Sequence, residues 1–349
     1  MLKNKRVFEA NIDSGGVFGD LPEWDLSDLY SGEDAPELQR DLNWTRSACE
    51  SFSKDYEGKL TSLDASGLLE AVQRYEAIDV AAGRIMSFAG LRYYQVTSDT
   101  GRAKFMSDMQ DQLTKITTPL VFYGLEFNRI DEKSLKSLIN QSNDLARYKP
   151  VFDRMRAMKP YQLSDELEKF LHDQSVIGAS AWNRLFDETV AGLVFYIDGE
   201  ELPLEAAANK LSEQDRDIRE TAAREIARVL RENTSVFARV HNTLAKDKEI
   251  EDRWRNMPTP QTERHLSNHV EAEVVEALRN AVVAAYPKLS HRYYALKAKW
   301  MGLETMQIWD RNAPLPIEDD KLVDWAKAQE IVLSAYAEFS PEMAEIARP

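Results

Sequence analysis

Leu68-Leu69-Glu70-Ala71-Val72-Gln73-Arg74-Tyr75-Glu76-Ala77-Ile78 carries apolar side chains at 68, 69, 72, 75 and 78. Steps of three and four residues return to one side of a helix that turns every 3.6 residues, so this stretch predicts an amphipathic α-helix. The pattern runs on to about Tyr94 and resumes from Gly101 to Leu113 through Met106, Met109 and Leu113. Two such stripes joined by a short break suit antiparallel helices packed side by side. Met86, Phe88 and Leu91 with Tyr93 and Tyr94 have the spacing of core packing rather than of a ligand box.

Working outward, the helix before this pair opens at Asp34-Ala35-Pro36, where Pro suits the first turn. Its face is Leu38, Leu42, Cys49, Phe52 and Tyr56, and it ends at Gly58. Shorter helices are expected around residues 132–140, 165–177 and 180–189. Leu193-Val194-Phe195-Tyr196-Ile197-Asp198-Gly199-Glu200-Glu201-Leu202 breaks the helical period, because a β-rich run reaches Asp-Gly, a strong hairpin turn signal. After Pro203 the helices return. The first of these long helices is read as capped by Ser212 with Asp215 three residues on, and the charge-dense segment from Asp215 to Arg255 as a solvated helix face anchored by Trp254. Ser340-Pro341 is a further helix start, with the cap followed by Pro. The expected fold is mainly α, antiparallel helical lobes with one small β-hairpin. The expected divisions are a loose lead-in at 1–23 and a lobe boundary near 190–205.

Composition narrows the function. With 349 residues, 43% of them hydrophobic, the chain can bury a sizeable core. A net charge of -15 argues against a nucleic-acid binder, which needs a concentrated basic face. No run of about 18 apolar residues and no signal peptide is visible, so a membrane span is not expected and the location reads as cytoplasmic. Cys49 is the single cysteine and lies on an apolar helix face. It reads as a small buried hydrophobe, and a lone cysteine excludes both an intramolecular disulfide and a thiolate zinc site.

His265 and His269 are the one histidine pair at i and i+4, the spacing with which a zinc peptidase helix begins its metal site. The residue after the first histidine, where such a helix carries its glutamate base, is Leu266. Asn268 followed by Glu271 reads as a helix cap that would put His269 at the helix start and His265 outside it. Metal ligation by the pair is not expected. His172, His241 and His291 stand alone in the sequence, and no phosphate-binding glycine loop is present.

Several stretches taken together resemble a known family. Residues Leu244 to Arg255 and Trp309-Asp310-Arg311-Asn312-Ala313-Pro314-Leu315-Pro316 are similar to signature segments of oligoendopeptidase F, in the thimet-oligopeptidase clan of zinc metallopeptidases. Leu21 to Tyr30, Ile197 to Leu202 and Ser290 to Lys299 resemble that family in the same order. The resemblance implies a nearly all-helical, two-lobed peptidase with a deep channel for short peptides, divided here into an amino-terminal helical lobe at 24–195 and the start of the catalytic lobe at 196–349. It also implies a zinc held by an HExxH helix and a glutamate of a later helix. The metal polarises the peptide carbonyl and activates water.

In the family that helix follows the segment matching Trp309 to Pro316, and His265 and His269 match an earlier segment. No HExxH occurs in these 349 residues. The expectation is therefore the amino-terminal portion of such a peptidase, without catalytic or metal residues of its own, inactive alone and binding no catalytic zinc. The alternative is a non-catalytic helical binding module derived from a peptidase lobe. Trp309, Asp310, Arg311 and Asn312 are the candidates for lining the substrate channel. The oligomeric state stays open.

Overall fold

A computed structural model describes residues 22–316 and 322–348. The lead-in expected at 1–23 falls, up to residue 21, outside the described residues. The first helices are α1 Pro36–Tyr56, α2 Ala65–Gln95 and α3 Thr100–Thr117, followed by α4 Val121–Phe127, α5 Glu132–Gln141, α6 Asn143–Arg147, α7 Lys149–Met158, α8 Asp165–Gln174 and α9 Ala179–Ala191. A hairpin of β1 Phe195–Ile197 and β2 Glu200–Leu202 comes next. The remaining helices are α10 Leu204–Asn209, α11 Arg216–Glu232, α12 Thr234–Arg255, α13 Thr262–Ser267, α14 Ala272–Ala285, α15 Ser290–Trp300, α16 Trp325–Phe339 and α17 Pro341–Ala347. The mainly α fold with a single hairpin is as expected.

Local signals explain where these helices start. Asp64 accepts from the Gly67 amide, Asp99 from Gly101 and Arg102, and Asp131 from Lys133 and Ser134, so each aspartate satisfies otherwise orphaned N–H groups of a first turn. Pro36 sits at the first position of α1, where its missing N–H costs nothing. The buried side of α1 is Leu38, Leu42, Thr45, Cys49, Phe52 and Tyr56, a single stripe at helical spacing.

That stripe packs into an aromatic core. The Phe52 ring lies 4.9 Å from Tyr56, 5.9 Å from Tyr75, 5.8 Å from Phe122 and 5.6 Å from Tyr123. Tyr75 and Tyr123 stack at 4.3 Å. The short helix α4, which the periodicity did not foretell, brings in Phe122, Tyr123 and Phe127. It is held by a buried Glu126, whose carboxylate accepts from the amides of Gly58 at 2.6 Å and Leu60 at 3.4 Å in the connection after α1. A buried carboxylate is tolerated there because backbone donors take the place of water.

The hairpin forms a second, smaller core. Phe195 pairs with Leu202 and Ile197 with Glu200 across Asp198 and Gly199, which have φ of 52° and 84°. Two positive φ values give the turn whose twist matches paired strands. Phe195 and Ile197 point inward beside Ala207, Ala222 and Val229, while Tyr196 between them faces out.

Two expectations are corrected, the cap of α11 and the anchor at Trp254. Asp215, not Ser212, caps α11: its side chain accepts from the Asp217 amide, and Ser212 lies in a 3-10 turn over Lys210–Ser212. The charge-dense segment 215–255 forms two long helices that meet at Asn233, whose side-chain amide donates to the Val229 carbonyl. Trp254 is 55% exposed and anchors nothing. The end of α12 is instead held by Arg255, whose guanidinium donates to both oxygens of Glu168 on α8, at 2.6 and 2.9 Å, and to the Tyr161 carbonyl.

Candidate functional site: a clamped strap between two helices

The candidate channel residues lie on a strap that leaves α15 and crosses α11. A 3-10 turn over Ile308–Asp310 starts it, with Gln307 and Asp310 exchanging side-chain to backbone hydrogen bonds as a capping box. Asp310 is 0% exposed. Its Oδ1 accepts from Arg216 Nε at 3.0 Å and Arg219 at 3.2 Å, and its Oδ2 accepts from Arg216 at 2.9 Å and the Gln307 amide at 2.9 Å. Burial pushes this carboxyl upward. The hydrogen bonds from Arg216, Gln307 and Arg219 outweigh it and hold the group at about 2.

Arg219, 2% exposed, completes the clamp. It donates to the carbonyls of Glu213 and Gln214 at 2.8 Å each and of Trp309 at 3.2 Å, so one guanidinium ties the approach to α11 to the strap. From the other side Lys297 of α15, also buried, donates to the carbonyls of Arg311 at 2.9 Å and Ala313 at 2.5 Å. Arg224 lies over the Trp309 ring at 5.3 Å, in cation-π range. The Trp309 Nε1 is buried with no hydrogen-bond partner among the described residues.

The four candidates therefore divide. Trp309 and Asp310 are taken into packing and ion pairing, and Arg311 and Asn312 are exposed. Both oxygens of Asp310 are occupied by donors, which suits a holding role rather than proton transfer. Arg216, Arg219 and Lys297, which position the strap, were not singled out from the sequence. Their common partner segment lies 90 to 94 residues from the arginines, and no local spacing reports it.

The histidines are placed differently from the expected cap. His265 lies inside α13, and Asn268 follows that helix as its C-terminal cap. His269 has φ of 52°, and α14 is preceded by Glu271. The chain turns through a left-handed residue between the two helices, so the two imidazoles do not share one helical face. His172 is packed against α3, where its Nε2 lies 3.2 Å from the Thr117 hydroxyl and 3.3 Å from the Thr114 carbonyl. Among the described residues no group of three or more His, Cys, Asp or Glu side chains is arranged to hold a metal ion. The described residues do not fit the zinc that the resemblance implies.

An open depression of about 670 Å³ lies elsewhere, lined by residues that include Asn128, Arg129, Lys159, Gln162 and Asp165. Arg129 pairs with Asp165 there, and the Asn128 amide donates to Gln162 at 3.0 Å.

Comparison with known proteins agrees with this architecture. The family model described as oligopeptidase F (Peptidase_M3_N) matches residues 126–195. Oligopeptidase PepF of Bacillus subtilis is 23% identical over 332 residues, 93% of this chain and 48% of its own. Group B oligopeptidase PepB of Streptococcus agalactiae is 24% identical over 92% of this chain and 54% of its own. The family-model match and these relatives together support an oligoendopeptidase F-family member. The crystal structure of oligoendopeptidase F from Enterococcus faecium superposes with a TM-score of 0.73 at 20% identity, over 89% of this chain and 65% of that one. The chain thus spans about half the length of the curated relatives it matches. No helix among the described residues is long and apolar enough to cross a membrane.

Proposed function

We propose that this chain forms part of a zinc metalloendopeptidase of the oligoendopeptidase F type, which hydrolyses short peptides. Residues 24–195 form its amino-terminal helical lobe and residues 196–349 the beginning of its catalytic lobe. The zinc, its ligands and the general base are supplied from outside these 349 residues, so the chain alone neither binds catalytic zinc nor cleaves peptides. The observation that carries this reading is the fold likeness to oligoendopeptidase F over 89% of the chain, in a sequence without HExxH. The strap from Trp309 to Asn312 borders the peptide channel, with Arg311 and Asn312 as the residues open to solvent. The enzyme acts in the cytoplasm on short peptides, and the charge of -15 agrees with the absence of a nucleic-acid partner.

The test is zinc content by atomic emission and hydrolysis of a quenched short peptide by the purified 349-residue chain. The B. subtilis oligopeptidase serves as the positive control. The expected result is substoichiometric zinc and no turnover above background. One equivalent of zinc, or turnover abolished by a chelator, would overturn it.

A further inference from the structure

The depression at the start of α8 brings together hydrogen-bonding groups that lack partners. Asn128 lines it and is only 6% exposed. Its amide nitrogen donates to Gln162 at 3.0 Å, while its Oδ1 is buried with no hydrogen-bond partner. A buried carbonyl oxygen is normally supplied with a donor. Gln162 in turn holds the Leu125 carbonyl only at 3.4 Å, so this pair of amides can shift toward a donor arriving from the depression.

Ser164, Asp165 and Glu166, the cap and first turn of α8, line the same depression. The Ser164 side chain makes no capping hydrogen bond, so the first N–H groups of the helix stay open to an acceptor, and the helix dipole favours a negative one. The charges around them are mixed. Arg129 pairs with Asp165, while Lys159 and Glu166 have no ion pair among the described residues and leave one charge of each sign. A simple anion would meet Glu166 unfavourably and leave the Asn128 oxygen unserved. A ligand with an N–H donor beside its carboxylate answers both. The volume of about 670 Å³ suits a small molecule, whose sites span about 300 to 1,000 Å³. The walls are held in place, because Arg156 donates to the Asn128 carbonyl at 2.9 Å and the Leu163 amide to Glu168 at 2.9 Å.

We propose that this depression binds an α-amino carboxylate, with its N–H donating to Asn128 Oδ1 and its carboxylate accepting from the first turn of α8. Such a unit is a free amino acid or the carboxyl end of a short peptide.

Isothermal titration calorimetry on the full 349-residue chain tests this. N-acetyl-L-alanine, which has an amide N–H and a carboxylate, should bind with a dissociation constant of about 1 mM or tighter. Propionate, which lacks the N–H, should bind at least about tenfold more weakly. L-alanine separates the two sources: tighter binding than N-acetyl-L-alanine assigns the free amino acid and weaker binding the carboxyl end of a peptide, and either supports the shared chemistry. Ser164→Asp gives α8 a carboxylate cap of its own, so it should weaken N-acetyl-L-alanine at least about tenfold while raising the thermal midpoint. In Asn128→Leu the preference over propionate should disappear. If that buried substitution prevents folding, Ser164→Asp and the propionate comparison still decide. Three results would overturn the proposal: no saturable binding up to about 20 mM, propionate binding as tightly as N-acetyl-L-alanine, or Ser164→Asp binding like the parent chain.

Discussion

Arg219 and Asp310, 91 residues apart, form a buried ion pair at 3.2 Å that joins α11 to the strap after α15. A second arginine, Arg216, shares the same carboxylate, so the charges are balanced by hydrogen bonds rather than by water. The strap takes its position from this node.

Removing the carboxylate leaves two guanidinium groups without their partner. Asp310→Asn should therefore destabilise the chain by about 3 kcal/mol, in the range for breaking a buried pair from one side, measured as a shift in the denaturant midpoint at unchanged m-value. Arg219→Met should cost a comparable amount, because it also strips the Glu213, Gln214 and Trp309 carbonyls of their donor.

Acid should weaken the same node. The folded-state value of Asp310, about 2, lies below its ordinary value of 3.8, so its contribution is fully present above about pH 4 and lost as pH falls through about 2. The difference corresponds to about 2 kcal/mol. Stability measured between pH 5 and pH 2 should fall less steeply in Asp310→Asn than in the parent chain.

The end of α12 depends on geometry as well as charge. Arg255 meets Glu168 through two parallel hydrogen bonds between side chains that are mostly buried. A double-mutant cycle with Arg255→Ala and Glu168→Ala should give a coupling of about 1.5 to 3 kcal/mol. Arg255→Lys keeps the charge but loses the fork, and should forfeit more than half of that coupling.

Cys49 is 0% exposed, and burial, reinforced by the neighbouring charge of Glu50, pushes its thiol up to about 11. At pH 8 the folded chain should react with a disulfide reagent at least about a hundredfold more slowly than the unfolded chain, because the thiolate is the reacting species. A folded-state rate near the unfolded one would contradict this packing.

At the hairpin, Gly199 has φ of 84° with open space where a Cβ would stand. Gly199→Ala should cost about 1 kcal/mol through backbone strain alone, and Gly199→Asn less, since asparagine tolerates the left-handed region better. Thermal unfolding followed by circular dichroism distinguishes the two.

What the sequence by itself determined about this protein is what depends on neighbours along the chain. The stripe from Leu68 to Ile78, the start of α1 at Pro36, the Asp198-Gly199 turn and the start of α17 after Ser340 were all legible, because helical period, capping and turn chemistry act over a few residues. Tertiary structure alone decided the rest. The helix α4 escaped periodicity because it is short and apolar on most sides, and it is held by Glu126 reaching amides 66 and 68 residues earlier. Ser212 and Asn268 had the form of caps, yet Asp215 and Glu271 occupy those positions, since several polar residues compete for one helix start. Trp254 looked like an anchor, but Arg255 beside it had a carboxylate to meet across 87 residues. In the candidate site, the strap was legible as a segment. Its fastening by Arg216, Arg219 and Lys297 was not, because a buried charge finds its partner only once the chain has folded back on itself.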